Sequence, residues 1–336
     1  MRRSIAVGAI LAAVLSLTSC SWSSTPPEPS PSATPTPKLT VMVNVWALGW
    51  LVEQIGGELV GEVKVFESKP HEPPAQGDID QMRTADSVLY IGNLSAEAAT
   101  ALGARAKADP ERFQDISALD NIALLTAPPE LGDDRLPGNR DPHVWLDPAG
   151  RMVTVARKVA RSLVKAVEQR PELADARARH TDGINQRLGQ ATTKLVEIRD
   201  RLKLKAAGCR NKTIVPEHPA YAYLVEWLEL KQLPVTRISS KTLPSAQAEE
   251  RRALLRTLWQ TEGHRTLFLE HSKGPQGKNP DAERKEIDEL ADQFGAIFEY
   301  LSSLESPPEP KPGESERKYP EALEYVVDQV KKGLKC

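Results

Sequence analysis

The chain is expected to be an α/β protein of two lobes, each a mostly parallel four-stranded sheet flanked by helices, joined by one long rigid interlobe helix. Three features of the 336-residue sequence lead there. From Lys38 to about Thr126, β-rich runs alternate with runs of helical apolar spacing, the pattern of βαβ units. From Gly150 to about Lys205 only helical periodicity remains, and after Gly208 the alternation returns. About 300 residues follow the N-terminal segment, a length that suits two domains better than one.

The first nineteen residues read as a targeting segment. Arg2 and Arg3 precede an apolar run from Ile5 to Leu17, which has secretory length and falls short of the ~20 residues a membrane-spanning helix needs. Leu17-Thr18-Ser19-Cys20 resembles the lipobox of bacterial lipoproteins, which makes Cys20 the expected lipidation site. Residues 20–37, rich in Pro, Ser and Thr, cannot bury a core and read as a stiff tether reaching about 50 Å. The resulting expectation is a soluble domain anchored outside the cytoplasm of a bacterium, at the periplasm or the cell surface.

Residues 38–170 form the expected first lobe. LTVMVNV (39–45), VKVFES (63–68), SVLYIG (87–92) and IALLT (122–126) read as strands. LGWLVEQIGG has helical spacing and stops at Gly56-Gly57, and SAEAATALGARA is a helix with Ser95 as N-cap. The next helical run breaks at Pro171, which places the interlobe helix at 171–207. At more than 30 residues it would span ~45–50 Å, and a helix so long and polar usually bridges domains.

The second lobe is expected at 208–336. KTIVPE, PVTRIS, RTLFLE and AIFEYL read as strands. AYLVEWLEL, 245–260 and the amphipathic 319–335 read as helices. Cys209 and Cys336 are either two free thiols or a disulfide in a compartment that permits one, and the chain-terminal position of Cys336 favours the disulfide. With a formal net charge of −2, a nucleic-acid surface is not indicated.

The chain has six histidines. In an open α/β sheet, ligands bind outside the carboxyl ends of the strands. His71 follows VKVFES, His143 lies in the loop after IALLT, and His218 follows KTIVPE, so all three fall on that edge. His180 reads as solvated on the long helix, His264 precedes its strand, and His271 follows RTLFLE beside Glu270. Imidazoles from two facing lobes suit a borderline ion such as Zn²⁺. Pro70, Pro142 and Pro219 each adjoin one of the three and restrict its backbone.

These residues sit in motifs that resemble the substrate-binding proteins of bacterial zinc and manganese ABC transporters, over essentially all of 39–334. PHEPPAQGDID (70–80), ADSVLYIG (85–92), DPHVWLDP (141–148), HPAYAYL (218–224) and Pro244-Ser245-Ala246 carry the resemblance. It implies a monomeric receptor in which His71, His143 and His218 hold Zn²⁺, Mn²⁺ being less suited to three imidazoles, and an ABC permease as partner. Three departures stand out. Ser302 replaces the Asp that serves as the family's fourth ligand. The fourth position then falls to water or to a carboxylate from Glu270, Glu299 or Glu305, with Glu270 favoured because it ends its strand on the functional edge. The histidine-rich loop of zinc members is absent, its place taken by PPELGDDRLPGNRD, where Asp133 and Asp134 read as a solvated turn. The first motif is also one residue shorter between His71 and Asp78.

Competing readings are a Mn²⁺ or Fe²⁺ receptor, a surface adhesin or metallochaperone using the same site, and a zinc hydrolase. The last is weak, because His71-Glu72 begins an H-E-x-x-H motif but position 75 is Ala. Trp145 and Leu146 are expected to anchor the His143 loop, and Asp147 to cap the next helix.

Overall fold

The computed structural model describes residues 37–67, 72–94, 96–118, 122–126, 140–235, 245–270, 282–308 and 316–336. The targeting segment, Cys20, most of the tether, His71, Ser95, the Asp133-Asp134 turn and His271 therefore lie outside the described residues. Among the described residues no helix is long and apolar enough to cross a membrane.

The chain from Pro37 onward begins with β1 (Leu39–Val43), whose apolar residues are buried on both faces. Val41 and Val43 join the large core beneath α1 (Trp46–Gly56) and α4 (Arg151–Gln169). Met42 points the other way, into a smaller cluster with Met82, Tyr90, Leu102 and Phe113. Burial on both faces is why this strand reads as a continuous apolar run. It pairs in parallel with β2 (Val60–Val65) and β3 (Ser87–Tyr90), and β4 (Phe113–Asp115) completes the order β2-β1-β3-β4. Two helices, α2 (Gln76–Met82) and α3 (Ala96–Ala108), complete this half.

The fourth strand is not where the sequence placed it. Ile122–Thr126 makes no strand; only Thr126 forms an isolated antiparallel bridge, with Arg140. Its backbone groups go elsewhere: the Leu125 N–H donates to the Tyr223 hydroxyl, and the Asp141 N–H donates to the Leu125 carbonyl. The true edge strand is three residues long and lacks a run of β-formers, so periodicity had nothing to detect.

After a short 3-10 turn at Pro171–Ala176 the chain enters α5 (Arg177–Ala206), a helix of 30 residues spanning about 45 Å. Its buried residues, Ile184, Ala191, Leu195, Ile198, Leu202 and Ala206, recur at spacings of three, four and seven, a single apolar stripe on an otherwise polar helix. Arg187 on α5 donates to the carbonyls of Ile55 and Gly56 at 2.7 and 2.9 Å, closing the C-terminus of α1. Gly57 makes this possible: its φ of 55° suits glycine, and a Cβ there would meet the Arg187 side chain at 2.9 Å.

The second half repeats the winding of the first. β5 (Thr213–Ile214) pairs in parallel with β6 (Lys231–Gln232), and β7 (Thr266–Leu269) with β8 (Ile297–Tyr300). Hydrogen bonds from the Phe268 N–H to the Val215 carbonyl and from the Glu217 N–H to the Phe268 carbonyl join the two pairs. The spatial order is thus β6-β5-β7-β8, matching the first sheet strand for strand. The strand expected at 234–239 is absent at Pro234 and Val235, and the rest of it lies outside the described residues. Lys231 and Gln232 pair with β5, and the chain stays alongside it past Pro234, the Val235 N–H donating to the Pro216 carbonyl at 3.1 Å. Helices α6 (Ala222–Leu228), α7 (Ser245–Thr261), α8 (Ala282–Phe294) and α9 (Tyr319–Leu334) flank this sheet. A Cys209–Cys336 disulfide ties the end of α9 to the turn after α5.

Candidate metal centre

The segment Asp141–Pro148 is buried throughout, and its stiffness comes from side chains of the second half of the chain. Tyr223 donates its hydroxyl to the Asp141 carbonyl at 2.8 Å. The Trp227 indole donates to the Leu146 carbonyl at 2.8 Å, and the Tyr319 hydroxyl to the Trp145 carbonyl. Trp145, fully buried, returns a hydrogen bond from its indole N–H to the Ser303 carbonyl at 2.6 Å. Asp147 caps α4, its carboxylate accepting the N–H groups of Gly150 and Arg151 at 2.9 and 3.0 Å. The expected roles of Trp145, Leu146 and Asp147 are those the structure has.

His143 is held by Asp141 on two sides. One carboxylate oxygen, Oδ1, accepts the His143 backbone N–H at 2.9 Å and lies 2.7 Å from Nδ1. That contact places the Nδ1 proton on the Asp141 side and turns Nε2 toward the cleft. There Nε2 stands 3.3 Å from Glu305 Oε1. Burial disfavours the imidazolium, but Asp141 and Glu305 outweigh it and push the His143 pKa up to about 10. A proton on Nε2 therefore bridges His143 and Glu305.

His218 follows β5 and is buried; its ring centroid lies 5.8 Å from that of His143. Its Nδ1 is 3.1 Å from Glu270 Oε2. Glu270 in turn accepts the Ser303 hydroxyl, and its N–H donates to Glu217 at 3.2 Å. Tyr221 packs below, its hydroxyl donating to the Leu301 carbonyl, and burial with the nearby Glu270, Glu217 and Glu305 pushes its pKa well above the usual value.

One ligand atom each from His143, His218 and Glu305 lies within 4.8 Å of the others. An ion bound by nitrogen and oxygen at about 2.0–2.2 Å in tetrahedral geometry sets its ligands about 3.3–3.5 Å apart. The 3.3 Å between His143 Nε2 and Glu305 Oε1 matches that spacing. Glu305 reaches the site because Leu304, fully buried, adopts φ 59°, a left-handed turn that a leucine accepts only under constraint.

Of the residues singled out from sequence, His143 and His218 are brought together, with Glu305, one of the three alternative carboxylates. Glu270, the carboxylate favoured from its strand position, is not one of the three gathered atoms and instead lies against the back of His218. Glu299 pairs with Lys332 at 2.7 Å, and Ser302 accepts the Leu304 N–H. His180 is half-buried on α5, its pKa lowered by burial and by Arg179 and Arg187. His264 is fully buried beside Glu262 and takes no part. Asp78, buried, accepts the N–H groups of Glu67 and Ala75 at 2.6 and 3.1 Å, residues that flank position 71 in the chain. Sequence reasoning missed Asp141 as the partner of His143, although an acid two residues before a loop histidine is a usable signal. It also missed the tyrosine and tryptophan donors, which no local pattern reveals.

The family model described as zinc-uptake complex component A, periplasmic (ZnuA), matches residues 41–333. The high-affinity zinc uptake system protein ZnuA of Bacillus subtilis (strain 168) is 26% identical over 194 residues, 58% of this chain and 51% of that protein. The match thus spans about half the length of that curated relative. Among solved structures, a Zn(II)-bound variant of AdcAII of Streptococcus pneumoniae is 20% identical with a TM-score of 0.65, over 88% of this chain and 98% of that one. The laminin-binding protein Lmb of Streptococcus agalactiae, described as bifunctional with adhesin and metal transporting activity, is 21% identical with a TM-score of 0.63, over 89% and 100%. At these identities the two structures speak for the fold alone.

Proposed function

The chain belongs to the ZnuA family of periplasmic zinc-uptake components, and from that premise we propose that it captures Zn²⁺ and delivers it to an ABC permease for uptake. The observation that carries the reading is the convergence of His143, His218 and Glu305 from loops of both sheets onto one buried point. His71, which the Pro-His-Glu motif assigns to the same ion, is the proposed fourth ligand. Glu270 orients His218 and Asp141 orients His143, each a carboxylate behind an imidazole as metal sites commonly employ. Two imidazoles, a third from His71, and one carboxylate favour Zn²⁺ over the harder Mn²⁺.

The boundaries proposed are a signal peptide at 1–19, a tether at 20–37 lipidated at Cys20, lobes at 38–170 and 208–336, and the interlobe helix at 171–207. A monomer so anchored outside the cytoplasm would present its cleft to a permease in the same membrane. Hydrolysis finds no support: the family is one of uptake components, and Glu72 precedes α2 rather than lying on a helix as an H-E-x-x-H site needs.

Metal analysis with competitive Zn²⁺ and Mn²⁺ titrations tests this. One Zn²⁺ per chain is expected, with His143→Ala weakening it by more than the ~10–100-fold that loss of a supporting hydrogen bond produces. Undiminished binding in His143→Ala defeats the site, and tighter Mn²⁺ than Zn²⁺ binding defeats the cargo.

A further inference from the structure

A cavity of about 490 Å³ opens at the carboxyl ends of β3 and β4, outside the metal centre. Size and position are those of a small-molecule site in an α/β sheet. Its wall carries Asn93, Asp115 and Arg140, with Ala99, Ala118 and Leu124 as an apolar side.

The polar groups are built in rather than scattered. Asp115 Oδ1 accepts the Gly92 N–H at 3.0 Å, the Ser117 N–H at 2.8 Å and the Ser117 hydroxyl at 2.6 Å. Its other oxygen, Oδ2, crowds the α-carbon of Gly92, where a Cβ would collide with it. No hydrogen bond to that oxygen is made among the described residues. Asn93, buried, donates its amide to the Arg140 carbonyl at 3.2 Å, and its Oδ1 is buried with no partner among the described residues. An unsatisfied buried acceptor costs about 1–3 kcal/mol, so a donor arriving there is favoured. The Arg140 side chain is exposed and makes no ion pair among the described residues.

Two side chains with an acceptor to spare, one of them an anion, and an exposed arginine thus line one half-apolar pocket of small-molecule size. We propose that this cavity binds a small zwitterion of the α-amino-acid class. Its ammonium sits against Asp115 and Asn93, its carboxylate meets Arg140 in the two-pronged geometry that guanidinium favours, and its side chain rests on Ala99, Ala118 and Leu124. The site is independent of the zinc reading, since none of these side chains supplies a ligand to the metal centre.

The test is a thermal-shift screen of the zinc-free protein with each common L-α-amino acid, followed by calorimetry on the strongest. The deaminated and the decarboxylated analogue of that amino acid, each keeping one charge, are each expected to bind at least about tenfold more weakly. Arg140→Gln, at an exposed position, and Ala99→Trp, which fills the cavity, are expected to cut amino-acid affinity by about tenfold or more while Zn²⁺ stoichiometry and affinity stay unchanged. No shift with any amino acid, equal binding of either analogue, or undiminished binding in both variants overturns the proposal.

Discussion

Zinc capture by this site should be a metal-for-proton exchange at His143. Without metal, Nε2 faces Glu305 and Nδ1 faces Asp141, and the pair of carboxylates holds the pKa up to about 10 against the opposing effect of burial. A metal needs the Nε2 lone pair, so the proton must leave first. Near neutrality that competition spans about three pKa units, worth about 4 kcal/mol at 1.36 kcal/mol each, or roughly a thousandfold in apparent affinity. The sign follows from the raised pKa: Zn²⁺ binding strengthens as pH rises toward 10 and weakens as it falls. Calorimetry in buffers of different ionisation enthalpy counts the protons released, and at least one per Zn²⁺ is expected at about pH 8. Asp141→Asn keeps an acceptor for Nδ1 but removes the charge that outweighs burial, so its proton release at that pH should fall below the parent's. Zinc uptake without proton release, or identical release in Asp141→Asn, would refute the reasoning.

Other consequences follow from the same contacts. The raised His143 pKa stabilises the metal-free fold fully below the unfolded value of about 6.5, and that contribution is lost as pH rises through about 10. Melting of the zinc-free protein should therefore shift down over that window, and His143→Ala should flatten the trend. Glu305→Gln removes a proposed ligand and should weaken Zn²⁺ beyond the ~10–100-fold expected for Glu270→Gln, which only loosens His218; equilibrium titration against a chelator ranks the two, and the reverse order defeats this assignment. Tyr319→Phe leaves the buried Trp145 carbonyl without its donor and should cost about 1–3 kcal/mol by chemical denaturation. Cys336→Ser opens a 127-residue separation, for which the chain-entropy estimate is about 5 kcal/mol, so a denaturation midpoint unchanged from the oxidised parent would contradict that estimate.

What could be read in the sequence follows from how each feature is encoded. The helices and the buried strand β1 announce themselves because one face, or both, must be apolar, and Gly57 marks a helix end because its φ excludes most other residues. Strand β4 escaped because three residues at a sheet edge bury too little to leave a pattern. Ile122–Thr126 misled for the opposite reason: it is apolar because Ile122 is buried and Leu124 and Leu125 pack against the core, while its backbone serves Tyr223 and Asp141. At the site, His143 and His218 were legible because strand ends and prolines display them. The carboxylate was harder to place, since Glu270 and Glu305 differ by how the intervening backbone turns. Leu304 in a left-handed conformation is the deciding feature, and nothing in a leucine foretells it.

The clamps around His143 also bear on how the site works. Among the described residues the side-chain donors to the carbonyls of Asp141, Trp145 and Leu146 come from the second half of the chain, and Trp145 reaches back to Ser303, two residues before Glu305. The loop that presents His143 is thus fastened to the sheet that presents His218 and Glu305 before any metal arrives. A wide hinge opening would have to break four buried hydrogen bonds at about 1 kcal/mol net each, leave their partners unsatisfied, and bend α5 as well. The smaller motion is a local one. His71, the proposed fourth ligand, falls in the chain between Glu67 and Ala75, whose N–H groups both rest on Asp78. Hydrogen exchange along α5 should change little on Zn²⁺ binding, since no bending of that helix is needed.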